Sequence, residues 1–149
     1  MNQFEPQDPQ YRNKVEESFN QQEVMKTIGA TLLSVEPGRV EIDLAYSIKL
    51  TQQDGFLHAG IVSTVVDSAC GYSAFSLMPE GTSVLSIEFK INFLKPAMGE
   101  RFKAIGRVRK PGRTITVTEG ELIAYGNNTE TAVATMAATM MCLKNRENE

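Results

Sequence analysis

Residues 59–77, AGIVSTVVDSACGYSAFSL, form the apolar run whose reading decides the fold. The run is too long for a strand, is rich in small side chains and carries one formal charge, Asp67. No other formal charge lies between Gly55 and Pro79, so a hydropathy window would flag a membrane span. Ser63, Thr64, Ser68, Gly71, Ser73 and Ser76, with a carboxylate near the middle, argue instead for the buried helix of a soluble domain.

On both sides of this helix the apolar period changes to two. Downstream, Leu85, Ile87, Phe89, Ile91 and Phe93 alternate with Ser86, Glu88, Lys90 and Asn92, which predicts a strand. Upstream, Val40, Ile42, Leu44 and Tyr46 alternate with Glu41, Asp43, Ala45 and Ser47, and Pro37-Gly38 reads as the turn of a hairpin. Further strands are predicted at about 101–109, 113–125 and 131–143, separated by Pro111-Gly112 and Gly126-Asn127-Asn128. In the second of these, Ile115 and Val117 have one parity and Leu122 and Ala124 the other, so a bulge is expected near Gly120. The last is apolar on both parities and is expected to be covered on both faces.

The first thirty residues read as helix. Asp8 is placed as the cap and Pro9 at the first helical position, with Tyr11, Val15 and Phe19 on one face and a second apolar set at Val24, Met25 and Ile28. The expected architecture is α+β: a curved, mostly antiparallel sheet of about six strands wrapped around one long central helix, with an N-terminal helix. With 149 residues the chain suits a single domain spanning 1–149, about residues 1–10 forming a disordered tail.

Composition removes several functional classes. Two cysteines and one histidine do not supply a tetrahedral zinc site or a disulfide framework, so neither metal nor cystine scaffold is expected. The start, MNQFEPQDPQYRNK, is polar and acidic where a signal peptide needs a basic start and an apolar run, which points to the cytoplasm. Gly-rich loops of Rossmann or Walker type and the serine-nucleophile pentapeptide are absent from the sequence. Cys70 and Cys142 read as buried small residues.

Net charge is −3, unevenly spread. Between Lys90 and Arg113 eight basic residues face one acid, Glu100, a local balance of +7 that leaves −10 for the rest of the chain. No nucleic-acid-binding signature accompanies them, so the stretch is either an anion site or a solvated sheet face.

Asp67 is the residue that demands a chemical account. A carboxylate in an apolar helix must be paired, hydrogen-bonded, protonated or open to a pocket. It is either a structural ion pair or a general base or nucleophile with a raised pKa. His58 opens the same helix, as a cap or as part of a site. Nine residues separate the two, roughly 13 Å along a helix axis and half a turn in direction, so they do not meet within one chain. Two helices packed antiparallel about a two-fold axis would bring Asp67 of one copy towards the His58 end of the other. That end also offers unpaired N–H groups suited to an oxyanion.

The pattern Gln52-x-x-Gly55-x-x-His58-Ala59-Gly60, with Asp67 nine residues past the histidine, resembles the hotdog-fold acyl-CoA thioesterases, in particular their phenylacetic acid degradation-type branch. The likeness extends through SVLSIEFKINFLKPA and GRTITV and covers roughly residues 20–143. It implies hydrolysis of an acyl-CoA thioester, with coenzyme A entering as part of the substrate, and a homodimer that often forms a dimer of dimers, a homotetramer. By matching position it implies Asp67 as base or nucleophile, the Ala59 N–H beside Gly60 as oxyanion donor, and His58, Gln52 and Ser86 around the thioester. The parity of Ser86 sets it opposite Ile87, on the polar face. Ala59 stands where the family usually has glycine, so a positive φ there would be strained, and Gln52 stands where many relatives have Asn.

Coenzyme A carries three phosphate groups, and Arg109, Lys110 and Arg113 around the Pro111-Gly112 turn are assigned to hold them. Two other functions stay open at this point: a dehydratase or hydratase acting on acyl thioesters, and a non-catalytic acyl-CoA-binding protein.

Overall fold

The computed structural model describes residues 4–145, and its ten elements follow the predicted order with one division. The N-terminal helical region splits into α1 (Tyr11–Gln21) and α2 (Glu23–Ile28), and the central helix is α3 (Ala59–Phe75). The strands are β1 (Ala30–Glu36), β2 (Arg39–Ala45), β3 (Thr82–Phe93), β4 (Arg101–Lys110), β5 (Ile115–Gly126) and β6 (Thr129–Lys144), with a 3-10 turn at Ile48–Leu50. They make one six-stranded sheet, ordered β1-β2-β4-β5-β6-β3, in which every neighbouring pair is antiparallel.

Helix α3 lies along this sheet and packs against all six strands. It approaches closely because two strands lack side chains beneath it: Gly106 of β4 pairs with Gly120 of β5. A Cβ on Gly106 would stand 2.1 Å from the Ala69 carbonyl oxygen, and one on Gly120 would meet Val66 and the Cys70 sulfur at 2.6 Å. Val62, Val65, Val66, Ala69 and Cys70 of α3 are buried against Val40, Ile42, Leu44, Phe102, Ala104 and Leu122 of the sheet.

The N-terminal region departs from expectation in a small way. The helix begins at Tyr11 rather than Pro9, because Asp8 closes a turn ahead of it: its Oδ1 accepts from the Gln10 N–H at 2.8 Å and its carbonyl from the Tyr11 N–H at 3.0 Å. Lys14 then ties α1 to the segment after α3, donating to the Met78 carbonyl at 2.7 Å and pairing with Asp8 at 3.5 Å. Of the tail expected at residues 1–10, residues 1–3 lie outside the described residues; Phe4 packs on the core and Asp8 is buried.

Two strands correct the sequence reading. In β5 the bulge expected near Gly120 is unnecessary, because Thr116, Thr118, Gly120, Leu122 and Ala124 form one uninterrupted inward set while Ile115 and Val117 point out. Thr118 is tolerated inside because its hydroxyl donates to the Ala138 carbonyl at 3.1 Å. The register of β5 shifts instead against β6, at Leu122/Ile123, and against β4, at Val108/Lys110. In β6 only one face is fully covered: Ala134, Met136, Ala138 and Met140 are buried, whereas Ala137 on the opposite face is exposed.

Half of the basic stretch is paired across strands. Arg101 pairs with Asp43, Lys103 with Glu41, Arg107 with Glu121 and Arg109 with Glu119, all bridging β4 to a neighbouring strand. Lys110 and Arg113 make no salt bridge among the described residues.

Candidate active site

Asp67 lies half-buried in the middle of α3, on a stripe with Gly60, Ser63 and Thr64 that the sheet does not cover. Its Oδ1 accepts a hydrogen bond from the Ser86 hydroxyl at 2.7 Å. Burial pushes its pKa above the ordinary carboxylate range, and the Ser86 hydrogen bond opposes that shift by favouring the charged form.

Ser86 reaches Asp67 because β3 changes phase. The pairing with β6 shifts between Ser86 and Glu88, leaving Ile87 as an extra residue. Before the bulge Ser86 stands opposite Met140, and after it Phe89, Ile91 and Phe93 stand opposite Ala138, Met136 and Ala134. Those four β6 residues are the inward set, so Ser86 shares a face with the later aromatics, and its expected place on the polar face is corrected.

The start of α3 is built from backbone. His58 is its cap: Nδ1 accepts from the Gly60 N–H at 2.8 Å, while the His58 carbonyl takes Ile61 and Val62. The Gly60 N–H is therefore occupied, and the Ala59 N–H makes no hydrogen bond among the described residues. The positive φ that would have strained an alanine does not arise, since among the described residues the only non-glycine ones with positive φ are Asn127 and Asn128 in the β5–β6 turn. Alanine serves here as glycine would.

Gln52 shapes the loop leading into α3. Its Oε1 accepts from the Asp54 N–H at 2.6 Å and the Phe56 N–H at 3.2 Å. Gln52 and Ala59 also line a cavity of about 380 Å³ whose other walls include Phe56, Leu57, Val62, Phe93, Pro96 and Val133. Those apolar walls escaped the sequence reading, because they come from loops and strands that meet only in the folded chain.

Thus the structure joins Asp67 to Ser86, and Gln52 to Ala59, but leaves the two groups apart. Because α3 is continuous from Ala59 to Phe75, His58 stays roughly 13 Å from Asp67 along the axis. Cys70, one turn after Asp67, has its thiol pushed up to about 12 by burial, which leaves it a neutral core residue. A half-buried carboxylate, a free N–H at a helix start and an apolar cavity are the parts that hydrolysis of an acyl compound requires.

Comparison with known proteins places this arrangement in a family. The family model of the thioesterase superfamily matches residues 54–131, the span from the Gln52 loop to the start of β6. The chain belongs to the thioesterase superfamily. It is a thioester hydrolase. It is 56% identical to a thioesterase family protein from Silicibacter pomeroyi, whose crystal structure covers 91% of this chain and 99% of its own at a TM-score of 0.90. It is 30% identical over 109 residues to human acyl-coenzyme A thioesterase 13, a match covering 67% of this chain and 77% of the relative. The E. coli PaaI protein from the phenylacetic acid degradation operon shares 17% identity at a TM-score of 0.82, covering 93% of this chain and 97% of that one, a likeness of fold. The thioester hydrolase fold thus agrees with the hotdog architecture expected from sequence.

Proposed function

We propose that the chain hydrolyses acyl-CoA thioesters at a site completed between two copies, with Asp67 as the general base or nucleophile. The observation that carries this reading is the Ser86 hydrogen bond to a half-buried Asp67, the one acidic side chain on α3. The name of human acyl-coenzyme A thioesterase 13 supports the substrate class.

The second copy is needed because the groups on α3 stand apart within one chain. Among the described residues the outer edge of β3 has no partner strand, and Leu85, Ile87, Phe89 and Phe93 along it are 43–51% exposed. A long apolar edge of this kind invites pairing with its own copy. Antiparallel pairing about a two-fold axis lays the two α3 helices side by side and brings each Asp67 towards the partner's helix start. The cavity behind Ala59 then takes the acyl group, and the thioester carbonyl lies between one copy's N–H and the other's carboxylate.

In the general-base route Asp67 removes a proton from water as the water oxygen attacks the thioester carbon. Negative charge passes to the carbonyl oxygen, where the Ala59 N–H stabilises it. Collapse breaks the carbon–sulfur bond, releasing the acid, and the proton held by Asp67 goes to the departing thiolate. In the nucleophilic route the carboxylate attacks directly and the carbon–sulfur bond breaks, releasing the thiolate; water then splits the anhydride into the free acid and protonated Asp67, whose proton goes to the thiolate. Lys110 and Arg113, which make no salt bridge among the described residues, and Arg109, which faces Glu119, remain the proposed holders of the phosphates of coenzyme A.

Free thiol released from a panel of aromatic, medium-chain and long-chain acyl-CoAs tests the reading. Release above buffer, abolished in Asp67→Asn, is expected. Tight coenzyme A binding without release would overturn hydrolysis in favour of a binding protein, and a His58→Ala loss as deep as that of Asp67→Asn would favour hydratase chemistry.

A further inference from the structure

The Ser86 hydroxyl has two acceptors and one proton. It lies 2.7 Å from Asp67 Oδ1 and 3.2 Å from the sulfur of Met140, its direct cross-strand partner on β6. Met140 is fully buried. Its sulfur lies against α3 at Gly71, one turn after Asp67, where an added Cβ would stand in ordinary contact, 4.0 Å from Met140 Sδ. Leucine would fill the same space, but only methionine places a hydrogen-bond acceptor, if a weak one, beside Ser86.

We propose that Met140 is a positioning residue for hydrolysis, its sulfur giving the Ser86 proton a second resting place so that Ser86 serves Asp67 in both protonation states. When Asp67 is ionised, Ser86 donates to it. When Asp67 has taken the proton of the attacking water, the Ser86 proton turns to the Met140 sulfur, and the Asp67 O–H donates to the freed Ser86 oxygen. When Asp67 releases its proton to the leaving thiolate, the Ser86 proton swings back. No bond to carbon or sulfur forms or breaks in this exchange, and the proton count closes over the cycle. Without the sulfur the Ser86 proton turns to solvent, since Ser86 is exposed, or stays on the carbonyl oxygen of the protonated Asp67, and the exchange loses its fixed geometry.

No neighbouring charge contributes to the shift at Asp67, which comes from burial and the Ser86 hydrogen bond. Cys70 on its own helix is neutral, Ser68 beside it donates to Gln22 Oε1 at 3.2 Å, and the Glu88 carboxylate on β3 accepts from the Thr139 hydroxyl.

The inference rests on Asp67 being the base, and Met140→Leu separates the two. This change keeps volume and chain length similar, and thermal unfolding verifies that the variant folds. Its kcat is expected to fall roughly threefold to tenfold, the span of one weak hydrogen bond. Its acid limb should move to lower pH, since the Ser86 proton is then left on the carboxylate and favours its charged form. Ser86→Ala should move that limb the opposite way. In the Ser86→Ala background Met140→Leu should change neither kcat nor the limb. A folded Met140→Leu with unchanged kcat and pH profile, or one equally harmful without Ser86, overturns the role of the sulfur and leaves Asp67 in place. Full activity in Asp67→Asn would instead overturn the reading beneath it.

Discussion

Helix α3 carries its two chemical regions on different foundations. At its start, His58, Ala59 and Gly60 are organised by the chain itself: a cap bond spanning two residues and backbone groups that any helix start provides. At its middle, Asp67 is organised by tertiary neighbours, through Ser86 from a strand nineteen residues away and Met140 behind it. The difference teaches where substitutions should hurt. Local geometry tolerates a change of side chain if the replacement still caps, whereas the Asp67 environment depends on a bulge and a cross-strand pair acting together.

The sharpest way to break the comparison is Asp67→Asn, which keeps shape and an acceptor for Ser86 but removes the proposed base. Thioesterase activity should fall by roughly 10²–10⁴-fold. Stability should move the other way. Because burial raises the Asp67 pKa in the folded state, ionisation costs native stability as pH rises through the window from the unfolded to the folded value, and that cost persists above it. At pH 7 the Asn variant should melt a little higher, by roughly 1–3 °C, and no such gain should appear well below the carboxylate range. Calorimetry at the two pH values checks the sign.

Next in size is Phe89→Asp, which places charge on the bare edge of β3. If the two regions come together only between copies, this variant should sediment as a monomer and lose activity by roughly 10²-fold, the penalty of misplaced reacting groups. A monomer with full activity would dissolve the two-copy site. Ser86→Ala should cost about tenfold, the scale of a hydrogen bond to a charged group. It should also move the acid limb of kcat/KM to higher pH, because the bond that favours the ionised carboxylate is gone.

Much of this arrangement was legible along the chain, for identifiable reasons. A lone charge in an apolar run is visible in any window, so Asp67 stood out, and the period change around the run gave the strands. Ser86 was legible only against its own parity, since the Ile87 bulge that turns it inward leaves no mark in the alternation of Leu85 to Phe93. Thr116 and Thr118 misled in the same manner: polar residues face the core of β5 while Ile115 and Val117 face out. The basic stretch stays open between an anion site and a solvated face in the sequence because counting along the chain does not see partners such as Asp43, Glu41 and Glu121 on adjacent strands. Met140 gave no signal at all, one methionine among the apolar residues of β6.

The smallest expected effect sharpens the local half of the comparison. His58→Ala removes the acceptor for the Gly60 N–H, which costs about 1 kcal/mol of helix stability and roughly 2–4 °C of melting temperature. A frayed helix start also loosens the Ala59 N–H, so activity should fall about fivefold through poorer oxyanion geometry. Asparagine is among the best capping residues and lacks any group that titrates near neutrality. His58→Asn should therefore restore both melting temperature and activity, and the pH profile should stay that of Asp67 in all three proteins. If asparagine restores the melting temperature but leaves activity low, the imidazole itself takes part in the reaction, and the helix start is not the purely backbone device that its hydrogen bonds describe.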